Sequence, residues 1–258
     1  MSLPFGEDLK HLKEVSRVKH HILEKYLPPW AVILGSSHKK LCYMDCFAGP
    51  GRYESGGVPV DGSPLIAVRA ASSFAAKNPT HELVLGLIEN DAKQVSLLET
   101  HLQPLKPFPR NLKVSVIPED FHSFVPDLLA NVSSLAPTFF MIDPYWHPLA
   151  VPVINQILEH PKTEALINLM WFYINRDLSN PLVQHHVDSL FGNTQWREQP
   201  FMVQRGIPRE KSFLDYFCSR IRAKFVLPFK VKFDVEDRKG HGTNTTCCMP
   251  AITSMPFC

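Results

Sequence analysis

From residue 41 onward, short apolar runs alternate with stretches of helical spacing, and that alternation leaves few folds open. Runs of strand length cover 41–47, 83–88, 112–117, 138–142, 165–170 and 229–235. Helical patterns cover 65–76, 91–103, 121–132, 151–159 and 209–225. Strands joined by helical crossovers pair in parallel, and the helices then cover both faces of the sheet. The expected fold is therefore α/β: a doubly wound, Rossmann-like and mostly parallel sheet over residues 41–238. Ahead of it, residues 1–40 form a helical prelude. Leu9, Leu12, Val15, Val18, Ile22 and Tyr26 recur there on one face until Pro28-Pro29 is expected to stop the helix.

Charge narrows the function classes. The 27 basic and 25 acidic residues leave a net charge of +2, which excludes a dedicated DNA-coating protein and an acidic tail. Nucleic acid stays open as a partner through a weakly basic face, which the 12 histidines would strengthen in mild acid. The first residues are charged throughout and carry no apolar signal core, and the six cysteines lack the spacing of a disulfide framework. A cytoplasmic location is the expectation. No uncharged apolar run reaches the ~18 residues of a membrane span, so no membrane partner is expected.

In doubly wound sheets, ligands bind beyond the carboxyl ends of the strands. The first such end reads Asp45-Cys46-Phe47-Ala48-Gly49-Pro50-Gly51. A Gly-x-Gly turn there lets a ligand approach the backbone, or simply turns the chain. A dinucleotide fingerprint fails because Glu54 stands where its third glycine belongs, and the phosphate-loop spacing of Gly57 and Gly62 runs into Ser63-Pro64 instead of a lysine. The second strand ends at Glu89, a carboxylate suited to gripping ribose hydroxyls or to capping the helix that follows. It stands farther from the glycines than the roughly 20 residues of a nucleotide fold, and a glycine-rich insertion over 52–62 accounts for the excess. Asp120 follows the third strand, where it can meet an adenine amino group or act as a helix cap. The fourth strand ends Asp143-Pro144-Tyr145-Trp146, two hydrogen-bond acceptors beside two aromatic rings, a set that suits a planar amino substrate.

Together these strand ends resemble a class I S-adenosylmethionine-dependent methyltransferase. The wording of His21 to Leu27, Asp45 to Tyr53, Gly62-Ser63-Pro64-Leu65, Phe140 to Pro144, Ile167 to Met170 and Ile174-Asn175-Arg176 is similar to the three-Cys-motif partner (TcmP) family. The resemblance covers roughly residues 10–235. It implies S-adenosylmethionine as cofactor, with Asp45, Phe47, Gly49 and Gly51 at its methionine end, Glu89 at its ribose and Asp120 at its adenine. Asp143, Pro144 and Tyr145 would act on the substrate, with Trp146, Asn175 and Arg176 binding it. Asn175 and Arg176 read equally well as ties for their own loop. The family is named for pairing with a separate cysteine-motif protein, so a non-catalytic partner subunit is the alternative. The aromatic pair after Asp-Pro departs from both that family and the Asp-Pro-Pro-aromatic motif of amino-methyltransferases.

No metal is expected. His20-His21 and His185-His186 are adjacent pairs whose side chains should diverge on a helix, unlike an i, i+4 zinc pair. Cys42 and Cys46 on one strand would stand about 13 Å apart at ~3.3 Å per residue. The segment 239–258 is a separate problem. From Thr243 on it carries no charge, two prolines and three cysteines, and it reads poorly as the apolar last strand that a methyltransferase sheet needs. Codons exist for Asn244 onward whose third-base frame reads Tyr-Tyr-Leu-Leu-His-Ala-Ser-Asn-His-Phe, the missing aromatic–aliphatic strand. The expectation is an out-of-frame terminus that begins between about Arg238 and Thr245; a native cysteine metal tail lacks four-ligand spacing.

Overall fold

A computed structural model describes residues 8–55, 58–144, 149–236 and 242–253, with side chains for 17–54, 58–144 and 149–228. No helix among them is long and apolar enough to cross a membrane. The chain is an α/β protein of mostly parallel strands flanked by helices, as its alternation predicts. It divides into two compact units, residues 1–119 with 231–245 and residues 120–230 with 246–258.

The first unit opens with helix α1 (Asp8–Gly35), followed by β1 (Lys40–Asp45), a hairpin of β2 (Arg52–Ser55) and β3 (Val58–Asp61), then α2 (Ser63–Lys77), β4 (Glu82–Ile88), α3 (Ala92–Leu102) and β5 (Leu112–Ile117). The sheet order is β5-β4-β1, all parallel, with Leu41 beside Leu83 and Leu83 beside Leu112. Leu41, Leu65, Val68, Leu85, Leu87 and Leu98 form its buried core. Two expectations are corrected here. Helix α1 does not stop at Pro28-Pro29. Both prolines are exposed, while Leu23, Leu27, Trp30 and Ala31 continue one buried stripe on either side of them, so side-chain burial outweighs the lost helix bonds. Tyr26, expected on the apolar face, is exposed. The insertion over 52–62 is a hairpin, with Arg52 opposite Asp61 and Tyr53 opposite Val60.

The second unit contains α4 (Phe121–Asn131), β6 (Thr138–Ile142), α5 (Val151–Glu159), β7 (Thr163–Ile167), β8 (Leu169–Met170), α6 (Trp171–Ser179), α7 (His185–Phe191), α8 (Pro200–Val203) and α9 (Arg209–Arg220). The long strands β9 (Phe225–Glu236) and β10 (Gly242–Thr253) pair with each other, and both cross the boundary between the units. Strands β6 and β7 are parallel, and every residue of β6 is buried. The irregular stretch after Met170 is built on aromatic packing. Phe191, Phe201 and Tyr216 meet edge-on or tilted, and Trp196, Phe213 and Phe217 are fully buried. Each such ring contributes roughly 1.5–3 kcal/mol of burial.

The C-terminal segment expected to read poorly as a strand does form one. Strand β10 runs antiparallel to β7 at Ala251–Thr253 and to β8 at Cys247 and Cys248. Thr243, Thr245, Thr246 and Ile252 are β-branched and favour extended backbone. Pro250, which has no N–H to give a ladder, falls between the two paired stretches.

Candidate functional site

Strand β1 delivers Asp45 to the carboxyl end of the first unit's sheet, where the chain turns sharply. The turn is bound to its neighbours at every step. Ala48 N–H donates to the Ile88 carbonyl at 2.8 Å, which ties the exit of β1 to the end of β4. Gly49 N–H donates to Glu89 Oε2 at 2.8 Å, and Asp91 N–H donates to Glu89 Oε1 at 2.9 Å. His101 Nδ1, from the end of α3, donates to the Pro50 carbonyl at 2.7 Å. Gly62 N–H closes the hairpin on the Gly51 carbonyl at 2.8 Å. Glu89 is only 9% exposed, and the two amide donors satisfy one lone pair on each oxygen. Asp91, not Glu89, caps α3, by accepting from Gln94 N–H.

Gly49 and Gly51 have φ values of +62° and +79°, a region that side chains other than glycine enter at a cost. Their surroundings differ. A Cβ on Gly51 would stand 2.6 Å from Leu65 Cδ1 and 2.7 Å from Leu98 Cδ1, so this glycine lets the turn pack on α2 and α3. A Cβ on Gly49 would instead meet polar atoms, Tyr53 Oη at 2.6 Å and Gln94 Oε1 at 3.6 Å. Asp45 is fully buried and accepts a hydrogen bond from the Tyr43 hydroxyl at 3.0 Å. Burial pushes the neighbouring Cys46 thiol well above the usual range, and the Asp45 charge adds to the shift. Phe47 is half-buried in the turn. A cavity of about 1040 Å³, lined by α1, α2 and the β2–β3 hairpin, includes neither Gly49 nor Glu89 in its lining.

In the second unit, Asp120 accepts from His122 N–H at 2.8 Å and caps α4. Asp143 and Pro144 follow β6. Asn168 Nδ2 donates to Asp143 Oδ1 at 2.6 Å, and Asn168 N–H donates to the Ile142 carbonyl at 2.9 Å. Asn168 is thus a buried clamp on the Asp143 carboxylate, a residue that the sequence reading quoted without a role. Its signal was polarity at the end of an apolar strand. Tyr145 and Trp146 lie outside the described residues. Asn175 and Arg176 both sit in α6: Arg209 Nη1, from α9, donates to Asn175 Oδ1 at 3.0 Å, and Arg176 pairs with its neighbour Asp177 at 2.8 Å. His185 and His186 do not diverge at the start of α7. Their rings meet at 4.2 Å, and His186 Nδ1 lies 3.0 Å from Asp177 Oδ2. Among the described residues no group of three His, Cys, Asp or Glu side chains could hold a metal.

No family model matches the chain, and no curated protein matches it. Solved structures do. Protein LPL1258 from Legionella pneumophila, of family DUF519, superposes with a TM-score of 0.52 at 15% identity over 94% of this chain and 85% of that one. An S-adenosylmethionine-dependent methyltransferase from Agrobacterium tumefaciens gives 0.46 at 11% identity, over 93% and 62% of the two chains. Magnesium protoporphyrin IX methyltransferase from Synechocystis gives 0.41 at 10%, over 98% and 90%. The first of these carries the likeness in fold.

Proposed function

We propose that the chain is an S-adenosylmethionine-dependent methyltransferase whose acceptor is an amino nitrogen on a planar group, a nucleic-acid base included. One observation carries the reading: Glu89, buried at the end of β4 and held by the amides of Gly49 and Asp91. Its orientation is set by backbone, and each oxygen keeps a lone pair suited to a ribose hydroxyl. These residues fit the cofactor, which supplies an activated sulfonium methyl group when bound.

The rest of the work falls to alignment and desolvation. Asp143 would accept a hydrogen bond from the acceptor nitrogen, and the Asn168 clamp helps to orient its carboxylate. Titration calorimetry with S-adenosylmethionine and S-adenosylhomocysteine tests the reading. Glu89→Gln keeps the shape and removes the charge, and should weaken binding by about tenfold or more, as for a hydrogen bond to a charged group. No binding by the wild-type protein would overturn the enzyme and leave a non-catalytic partner of a cysteine-motif protein.

A further inference from the structure

We propose that the trough between α1 and α2 holds an amphipathic helix of a partner protein, apolar along its buried stripe and acidic at both ends. The proposal is independent of the methyltransferase reading. The two helices run side by side in the same direction. At their C-terminal ends, Gly35 comes so close to Phe74 that a Cβ would stand 2.8 Å from its ring. At the other end, the His20 ring lies 6.1 Å from Tyr53, on the hairpin that leads into α2. Along α1, Arg17, His21, Glu24, Pro28 and Val32 recur every three or four residues and line the trough. Along α2, Ile66, Ala70, Ser73 and Lys77 do the same, and with Val60 of the hairpin they border about 1040 Å³.

Shape selects a helix. Arg17, Glu24, Pro28, Val32, Ser73 and Lys77 are all exposed, so the space is open along its length, whereas a small-molecule site surrounds its ligand. Its walls are helix faces, whose backbone groups are bonded within the helices, so an extended peptide finds no strand edge to join. A third helix needs none, because its side chains pack into the furrow between the other two. Ile66 to Lys77 spans about 16 Å at 1.5 Å per residue, the length of three turns. Charge selects the composition. At the hairpin end, Asp61 lies between Arg52 at 3.1 Å and Arg69 at 2.8 Å, one carboxylate between two guanidiniums, with Arg17 at the same end. Lys77 stands at the opposite end, and neither it nor Arg17 enters an ion pair among the described residues. Apolar Pro28, Ala70 and Val32 lie along the trough, Val32 at 62% exposure. Glu24 stands midway on α1 and interrupts the positive charge, and the Phe74 ring is buried. Single-stranded nucleic acid would therefore find neither an unbroken basic track nor an exposed phenyl ring to stack on.

Peptide display on the full chain tests the proposal. The probe is a library of helical peptides of roughly 16 residues, with leucine at i, i+3, i+4 and i+7 and random residues elsewhere. Enriched peptides should carry aspartate or glutamate in their first and last turns. Fluorescence anisotropy should then show Lys77→Glu and Arg17→Glu each weakening such a peptide by about tenfold, because an attraction becomes a repulsion. A peptide with lysine in place of the acids at one end should regain affinity for Lys77→Glu. Val32→Glu, which puts a charge against the apolar stripe, should weaken every peptide by about tenfold or more. All three positions are exposed, and thermal denaturation checks that the variants are folded. No enrichment, enrichment without acidic ends, or equal affinity for wild type and all three variants overturns the proposal. It is also overturned if these substitutions weaken binding of a labelled single-stranded oligonucleotide, or self-association in sedimentation, and leave peptide binding unchanged.

Discussion

Gly51 and Gly206 share a left-handed backbone, at φ +79° and +80°, yet only Gly51 is hemmed in by side chains. Gly206→Ala should cost only the conformational strain, roughly 1–2 kcal/mol. Gly51→Ala adds a collision with Leu65 and Leu98, and overpacking of that kind costs about 1–3 kcal/mol more. Urea denaturation of the two variants measures the difference, and equal losses would show that the turn relaxes. Trp196 offers a second test. It is fully buried, and its Nε1–H donates to Asp188 at 2.9 Å. Asp188→Ala should strand that donor at roughly 1–3 kcal/mol. At this scale the sequence was most informative where chemistry is local. Asp45, Gly49 and Gly51 fall in seven consecutive positions, and their turn is where the motif places it. Asn168 was quoted without a role because its partner, Asp143, is brought to it by folding.

Among the elements, α4 gives the sharpest check on a site residue. Asp120 caps it, so Asp120→Ala should lose about 1 kcal/mol in chemical denaturation and Asp120→Asn, an equally good cap, almost nothing. An adenine role would appear separately, as weaker S-adenosylhomocysteine binding by Asp120→Asn. Strand β10 raises a different question. Its backbone fills a place in the sheet beside β7, although its residues are poor in the large apolar side chains of a buried strand. We propose that its coding frame is shifted, and we expect the nucleotide sequence to read Tyr-Tyr-Leu-Leu-His-Ala-Ser-Asn-His-Phe in the alternative frame from Asn244. An early stop in that frame would end the proposal. Periodicity located most elements within a few residues, but it missed the hairpin and ended α1 too soon. Two four-residue strands carry too little pattern to be seen. A helix containing two prolines survives only because its other face is buried.

For the molecule as a whole, the thiols and carboxylates set the pH range of stability. Burial pushes Cys218 up to about 11, with the Asp215 charge adding to it, and burial also raises Cys46 well above its usual value. A folded thiol that keeps its proton where the unfolded one loses it loses stability as pH rises, here from about 9 upward. At the acid end, the Lys113 hydrogen bond holds the Glu82 carboxyl low. Burial works against the same outcome at Asp188, but hydrogen bonds from Arg197 and Trp196 prevail. Those contributions are lost as pH falls below about 4. Urea midpoints should therefore be highest near neutrality and fall on both sides, with the alkaline loss removed by Cys46→Ala and Cys218→Ala together. By itself the sequence determined the α/β class, the succession of the main strands along the chain and the glycine turn that follows the first of them. All three follow from periodicity and from spacing along a few residues. Only the tertiary structure decided that Glu89 holds Gly49 across 40 positions, that Asn168 clamps Asp143, and that a hairpin carries Tyr53 back to the glycine turn. The partner of a buried polar group depends on where the chain returns, and that return is set by packing the whole core.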